Sequence, residues 1–236
     1  MPRLTQILTT STLSKESVVK FKRHYSNENQ IIARTLRSEF LPWLAEPILD
    51  VGCGMGDIAA AAFGDRRTIL LDRLDYSDFD TPALHTRITI DFFDYVPERD
   101  IPETLLFCHV LQFLDDDVFR LADQVTRIGA GRVLAVTNAN DGALGEIIYW
   151  SRRQGIDANP ELHLDGFPVG YACCASTSIS TRLQASSFDE LSRQVCFLLD
   201  IRPEVGKMHG LPDFLQRRLS RPEFDIRQEI RAYERS

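Results

Sequence analysis

Ile48-Leu49-Asp50-Val51-Gly52-Cys53-Gly54-Met55-Gly56 is the stretch that decides how this chain folds. A short apolar strand carrying Asp50 runs into three glycines spaced two apart, and Ala59 to Ala62 can form the body of a helix behind them. Glycine is required where a turn needs positive φ, or where backbone must approach a ligand with no Cβ in the way. A strand that turns tightly into a helix also presents free N–H groups to a bound molecule. The segment therefore predicts a cofactor at the carboxyl edge of a parallel sheet.

Outward from this turn the chain divides into alternating elements. Strand one is expected over Pro47 to Val51, with a helix after the turn through Phe63. Further strands are expected at Thr68 to Leu71 (ending in Asp72), Thr86 to Asp91, Glu103 to His109 and Arg132 to Thr137. Asp115 is placed to cap a helix whose apolar face is Val118, Leu121, Val125 and Ile128, ended by Gly129 and Gly131. Strands separated by helices describe βαβ units and a parallel sheet. Ahead of this core, Ser14 caps a helix to about His24. Asn27 with Gln30 resembles a capping box opening a second helix, from Glu28 to about Leu41, with Ile32, Leu36 and Phe40 on one face. Beyond it lie a helix at Gly145 to Gln154, a loop from Gly155 to Gly170 and a strand-like run from Tyr171 to Gln184. Ser187 then caps a helix from Phe188 to about Leu199, Val195 to Ile201 reads as strand or helix end, and the charged tail from Pro203 is expected to be partly helical. The result is one domain over residues 1–236: a helical cap at 1–44, a cofactor core at 45–138, a lid and substrate region at 139–186, and a helical segment at 187–236.

Bulk composition narrows the classes. The 236 residues are 44% hydrophobic and 26% charged, ordinary globular values, with a net charge of −7. An acidic body argues against long nucleic acid as a substrate, where affinity depends on clustered Lys and Arg. Residues 1–24 carry Arg3, Lys15, Lys20, Lys22 and Arg23 against Glu16, which reads as a solvated helix face or as a face meeting phosphate or carboxylate. Five cysteines, at 53, 108, 173, 174 and 196, have no zinc spacing and no disulfide pattern. Free, buried thiols in a reducing cytosol are expected, with no metal. Without a signal-peptide core or an apolar run of about 18 residues, the chain is expected to be cytoplasmic, with no membrane partner.

The glycine spacing also separates two cofactors. A dinucleotide fingerprint, G-x-G-x-x-G, would need its third glycine at Asp57. The pattern here is D-x-G-x-G-x-G from Asp50 to Gly56. In this the chain resembles the class I S-adenosylmethionine-dependent methyltransferases, and the resemblance runs over roughly residues 47–137. It implies a Rossmann-like, doubly wound α/β fold with a mostly parallel sheet, N-terminal helices and a lid inserted after strand five. It implies S-adenosylmethionine as cofactor, with Asp50, Gly52, Gly54 and Gly56 as the first motif. Asp72, 22 residues after Asp50, would hold both ribose hydroxyls, because a carboxylate accepts two hydrogen bonds. Asp91 and Phe92 would meet the adenine, and Cys108 to Leu114, His109 included, would line the methyl donor. Tyr25, with His24, would cover the cofactor from above.

Methyl transfer from a sulfonium needs alignment and water exclusion more than an elaborate catalytic group. His109 and, in the long loop, His163 are the candidate bases; the alternative for His109 is a strand-end histidine that shapes the pocket or binds the cofactor backbone, and for His163 an exposed loop histidine. Tyr149 and Trp150 are candidates for an aromatic wall against the acceptor. Asp115, Asp116 and Asp117 read as helix capping. The expected activity is methylation of nitrogen or oxygen on a small-molecule acceptor, by a monomer or a homodimer. Methylation of tRNA or protein, and a cofactor-binding partner protein without transfer chemistry, are the alternatives. Departures from the family are a strand-four opening of Glu103-Thr104-Leu105, last strands hard to locate after residue 185, and no N-P-P-[YF] tetrad after strand four.

Overall fold

The chain is described here by a computed structural model covering residues 15–111, 114, 118–156, 158 and 170–236. Its elements in order are α1 (Lys15–Lys20), α2 (Glu28–Thr35), β1 (Ile48–Val51), α3 (Asp57–Phe63), β2 (Thr68–Asp72), β3 (His85–Thr89) and β4 (Thr104–Cys108). They continue with α4 (Val118–Ile128), β5 (Arg132–Asn138), α5 (Gly142–Arg153), β6 (Tyr171–Gln184), α6 (Phe188–Leu198), α7 (Pro203–Met208), α8 (Leu211–Arg218) and β7 (Glu223–Arg235). Wider-wound turns at Phe21–Tyr25 and Leu36–Phe40 prolong α1 and α2.

Seven strands form one sheet in the order β3-β2-β1-β4-β5-β7-β6. The neighbouring pairs from β3 to β5 are parallel; β7 runs antiparallel between β5 and β6. The chain winds outward from β1 in one direction through β2 and β3, then returns to start the other half at β4. A crevice opens at such a switch point, beyond the carboxyl ends of the strands. The glycine turn after β1 and His109 after β4 both lie there.

Strands covered on both faces must be apolar throughout. All four residues of β1 and all five of β4 are buried. On one face Leu49, Val51, Leu105, Phe107, Val133 and Ala135 pack with Leu121, Val125 and Ile128 of α4. On the other, Ile48, Leu70, Leu106, Leu134 and Val136 pack with Ile32, Leu36 and Phe40, and with Ile58, Ala59 and Phe63 of α3. A third cluster joins α5, α6 and α8 to Leu183, Phe224 and Ile226 at the far end of the sheet.

The structure shows the Rossmann-like, mostly parallel architecture that the sequence implies, with three differences in detail. Residues 187–236, expected as a helical segment, end in a 13-residue strand, β7. Its Phe224, Ile226, Ile230 and Ala232 are buried and alternate with charged residues, so period-two patterning seats it in the sheet despite its charge. Residues 139–186, expected as lid and substrate region, contribute α5 and β6 to the fold itself; 157 and 159–169 lie outside the described residues. Asn27 does not cap α2. Its side chain accepts from the Arg182 N–H of β6 at 2.6 Å, and the Ser26 hydroxyl accepts from Glu28 N–H at 3.1 Å. The expected caps Ser14 and Asp115 lie outside the described residues, whereas Ser187 accepts from Glu190 N–H as expected.

Ile230 is fully buried where β7 bridges β5 and β6. Ile230→Ala should cost about 2–5 kcal/mol in urea denaturation. Arg227→Ala, which removes an exposed ion pair with Asp141, should cost less than about 1 kcal/mol.

Candidate functional site

The turn after β1 is set by three left-handed glycines, with φ of 67° at Gly52, 55° at Gly54 and 82° at Gly56. L side chains rarely adopt such angles. At Gly52 space adds a second constraint: a Cβ would stand 2.3 Å from Val110 Cγ2. Gly52 and Cys53 donate their N–H groups to the Leu71 carbonyl of β2, at 2.8 and 3.1 Å. The Gly54 N–H donates to Asp72 Oδ2 at 2.8 Å, while Asp72 Oδ1 accepts from the Leu74 N–H at 2.9 Å. Backbone amides on both sides thus fix the Asp72 carboxylate, and its remaining lone pairs stay available to a ligand.

The turn floors a cavity of about 490 Å³, within the usual range for small-molecule sites. Its walls come from the carboxyl ends of four strands: Val51, Gly52 and Gly54 after β1, Asp72 and Tyr76 after β2, Asp91 and Phe92 after β3, and Cys108, His109 and Val110 after β4. Phe21 and Lys22, following α1, and Glu28 of α2 close one side, with Phe197 and Leu198 of α6 near them. The Phe21 and Phe197 rings lie 4.7 Å apart. Phe93 and Arg120 complete the rim, with the guanidinium 4.1 Å from the ring centroid.

Charge inside this site is paired across elements. Asp50 is buried beneath the turn, and burial pushes its carboxyl up to about 7 against the opposing pull of Lys22; Asp72 raises it further and Arg87 lowers it. Burial alone would lower the Lys22 ammonium, but Glu28, Cys108, Asp50 and Asp57 outweigh it and hold Lys22 above its ordinary value. Lys22 Nζ stands 3.8 Å from Glu28 Oε1. Burial likewise drives the Cys53 thiol well above its usual value. His109 occupies the left-handed region at φ 51°, with its N–H donating to the Val136 carbonyl at 3.1 Å. A non-glycine residue in that region is uncommon, and sites of function are one place where such strain is kept. Among the described residues no group of three or more His, Cys, Asp or Glu is arranged to hold a metal ion, and no helix is long and apolar enough to cross a membrane.

No protein-family profile matches the chain, and no curated protein matches it in sequence. Solved structures do. The chain is similar to YcgJ from Bacillus subtilis at 15% identity and TM-score 0.56, covering 88% of this chain and 98% of that one. It is similar to a candidate methyltransferase from Bacillus halodurans at 11% identity and TM-score 0.55, with the same coverage of 88% and 98%. A candidate type II methyltransferase from Anaeromyxobacter dehalogenans gives 13% identity, TM-score 0.50 and coverage of 88% and 94%. This is the fold of the class I S-adenosylmethionine-dependent methyltransferases.

Within the methyltransferase fold the site residues named from sequence divide into three groups. Gly52, Gly54, Asp72, Asp91, Phe92 and His109 come together around the cavity. Asp50 and Gly56 lie outside its walls: Asp50 is a buried carboxyl group under the turn, and Gly56 supplies the left-handed residue that opens α3. Tyr25 is elsewhere, a correction to its expected place above the cofactor. Its hydroxyl bonds to Glu190 on α6, and with His24 it borders a separate surface hollow. Phe92 is largely a core residue, packed edge-on against Phe107 at 5.5 Å. Asp91 also caps a short turn, its Oδ1 accepting from Phe93 N–H at 2.9 Å. His163 lies outside the described residues. Tyr149 and Trp150 border a groove between α5 and α8, where Trp150 stacks on Phe214 at 5.0 Å, and form no wall of this cavity.

Two more expectations change. Cys108 and Cys196 are buried as expected, but Cys173 and Cys174 are exposed on β6, and all five cysteines are free thiols. Of the described cations of the N-terminal segment, Lys15 and Lys22 are half-buried and Lys20 and Arg23 are exposed, each beside a ring or carboxylate of the same chain. Lys15 pairs with Asp78 and lies over Tyr76 and Phe79, Lys20 lies over Tyr25, Arg23 lies over Phe79, and Lys22 faces the cavity. Sequence reading had singled out neither Lys22 nor Glu28 nor Phe21 as site residues.

A pH dependence follows from Asp50. Native Asp50 keeps its proton to about pH 7, whereas an unfolded aspartate loses it near pH 3.9. The stability this contributes is present below about pH 4 and lost as pH rises towards 7, at no more than about 1.4 kcal/mol per pH unit. Asp50→Asn cannot titrate, so its stability relative to wild type should rise across that window and level off above it. Urea denaturation at a series of pH values checks this; a constant difference would contradict it.

Proposed function

We propose that this chain is an S-adenosylmethionine-dependent methyltransferase acting on nitrogen or oxygen of a small-molecule acceptor. The observation that carries the proposal is the Asp72 carboxylate, fixed by the Gly54 and Leu74 amides and facing a cavity floored by the glycine turn. A dinucleotide fingerprint would require glycine where Asp57 opens α3.

The residues present fit the cofactor. Asp72 has acceptor capacity left for two adjacent hydroxyls. Lys22, held by Glu28, offers a cation for a carboxylate. Asp91 suits an exocyclic amine, and Phe92, Val110 and Leu114 give an apolar slot for a flat ring. When bound, the cofactor supplies a methyl carbon already activated by its sulfonium. The protein's part is then to align the acceptor, exclude water and, for a hydroxyl acceptor, take up a proton. Phe21, Phe197 and Leu198 serve the exclusion of water. His109, at the carboxyl end of β4 on the cavity wall, is assigned the proton. A net charge of −7 disfavours RNA as the acceptor. A cytoplasmic location suits the five free thiols.

Calorimetry should detect binding of S-adenosylhomocysteine and none of NAD. Asp72→Ala should weaken that binding by about tenfold or more, the loss expected on removing a charged hydrogen-bond acceptor; unchanged affinity would remove Asp72 from the site. Once an acceptor is found with labelled methyl donor, His109→Asn tests the base, since asparagine tolerates left-handed backbone. Turnover should fall about 100-fold or more with cofactor affinity preserved. Turnover near wild type would leave His109 a wall residue.

A further inference from the structure

The glycine turn is gripped from below by a side chain of β3. Arg87 stands opposite Leu70 in the β2–β3 register. Its Nη1 donates to the Gly54 carbonyl at 2.8 Å, its Nη2 donates to the Met55 carbonyl at 2.9 Å, and Nη1 also approaches Cys53 Sγ at 3.6 Å. A Cβ at Gly56 would come within 3.2 Å of the same guanidinium. Three consecutive residues of the turn, with the one after them, are therefore shaped around one arginine.

We propose that Arg87 is a positioning residue for the cofactor site, a two-armed clamp that fixes the orientation of the turn's peptide planes before any ligand arrives. The mechanism follows from planarity. In a trans peptide the N–H points opposite to the preceding C=O. Drawing the Gly54 and Met55 carbonyls down towards β3 therefore turns the Met55 and Gly56 N–H groups away from Arg87, and the Gly56 N–H closes on the Cys53 carbonyl at 3.0 Å. Glycines free at φ and ψ cannot hold that orientation themselves, because glycine loses more conformational freedom on ordering than any other residue. A planar guanidinium suits the task, since it offers parallel donors with fixed spacing, which an ammonium cannot. Gly54, whose carbonyl the clamp holds, also donates its N–H to Asp72, so both of its peptide planes are tied down. In this way Arg87 acts on the ligand through the turn and through Asp72, without entering the walls of the cavity.

The proposal rests on the reading of this turn as a cofactor site, so its test needs one measurement that uses no ligand. Arg87→Lys keeps the charge and loses the second arm. In the ligand-free protein, Arg87→Lys should speed hydrogen exchange at Gly54 and Gly56 by about tenfold while leaving Leu49 and Leu105 unchanged, the size expected for losing one charge-assisted bond. Its affinity for S-adenosylhomocysteine should fall by about tenfold as well. In Arg87→Ala, methylguanidine at non-denaturing concentration should restore part of the lost affinity. Wild-type exchange at Gly54 and Gly56 in Arg87→Lys overturns the clamp. So does faster exchange spread evenly over β1 and β4, which marks general loosening. If wild type itself fails to bind S-adenosylhomocysteine, the functional reading falls, and the exchange measurement still decides the role of Arg87.

Discussion

The hydrogen bond from the Gly54 amide to the Asp72 carboxylate ties together the two parts of the site that the fold must bring into contact. It joins the end of β1 to the end of β2, and it can form only because Gly52, Gly54 and Gly56 all take left-handed backbone. Much else is arranged around it. Leu71 accepts two amides from the turn, Val110 fills the space that a Cβ at Gly52 would need, and Arg87 holds the opposite edge of the peptide planes. A turn with so little intrinsic preference must be over-determined by its surroundings, and the contacts supply that.

Electrostatics follow from the same packing. Two carboxylates, Asp50 and Asp72, are brought near one another at the sheet edge, and Asp50 is denied water. Cations reach Asp50 from two directions: Arg87 from β3, and Lys22 from the segment after α1. Lys22 is in turn held by Glu28, so a helical cap remote in sequence becomes part of the cavity wall. Lys15 of the same cap pairs with Asp78 and lies over Tyr76 and Phe79, and Arg23 lies over Phe79 from an exposed position.

Local patterns were legible wherever local physics dominates. The strand–glycine–helix unit, the apolar faces of α2 and α4, and the acidic ends of β2 and β3 follow from spacing alone. Tyr25 was misplaced because the direction in which an N-terminal helix lies against the sheet depends on distant partners, here Glu190 on α6. β7 was missed because its charges suggested a solvated tail. The available signal was its alternation, with Phe224, Ile226, Ile230 and Ala232 all on one face. Arg87 carries no signal in sequence, since nothing near it specifies that its guanidinium meets a turn 33 residues earlier.

The sequence by itself determined the parallel α/β core, the position of the glycine turn and a glycine spacing that departs from the dinucleotide fingerprint. These depend on period, φ preference and residue type, which are properties of short segments. Tertiary structure alone decided which side chains surround the cavity: Lys22, Glu28, Phe21 and Phe197 as walls, Asp50 as a buried carboxyl group beneath them, Arg87 as the support under the turn. Those assignments depend on contacts between residues tens of positions apart. Burial, and with it the behaviour of each charge, is set by the packed neighbours and not by the neighbours in sequence.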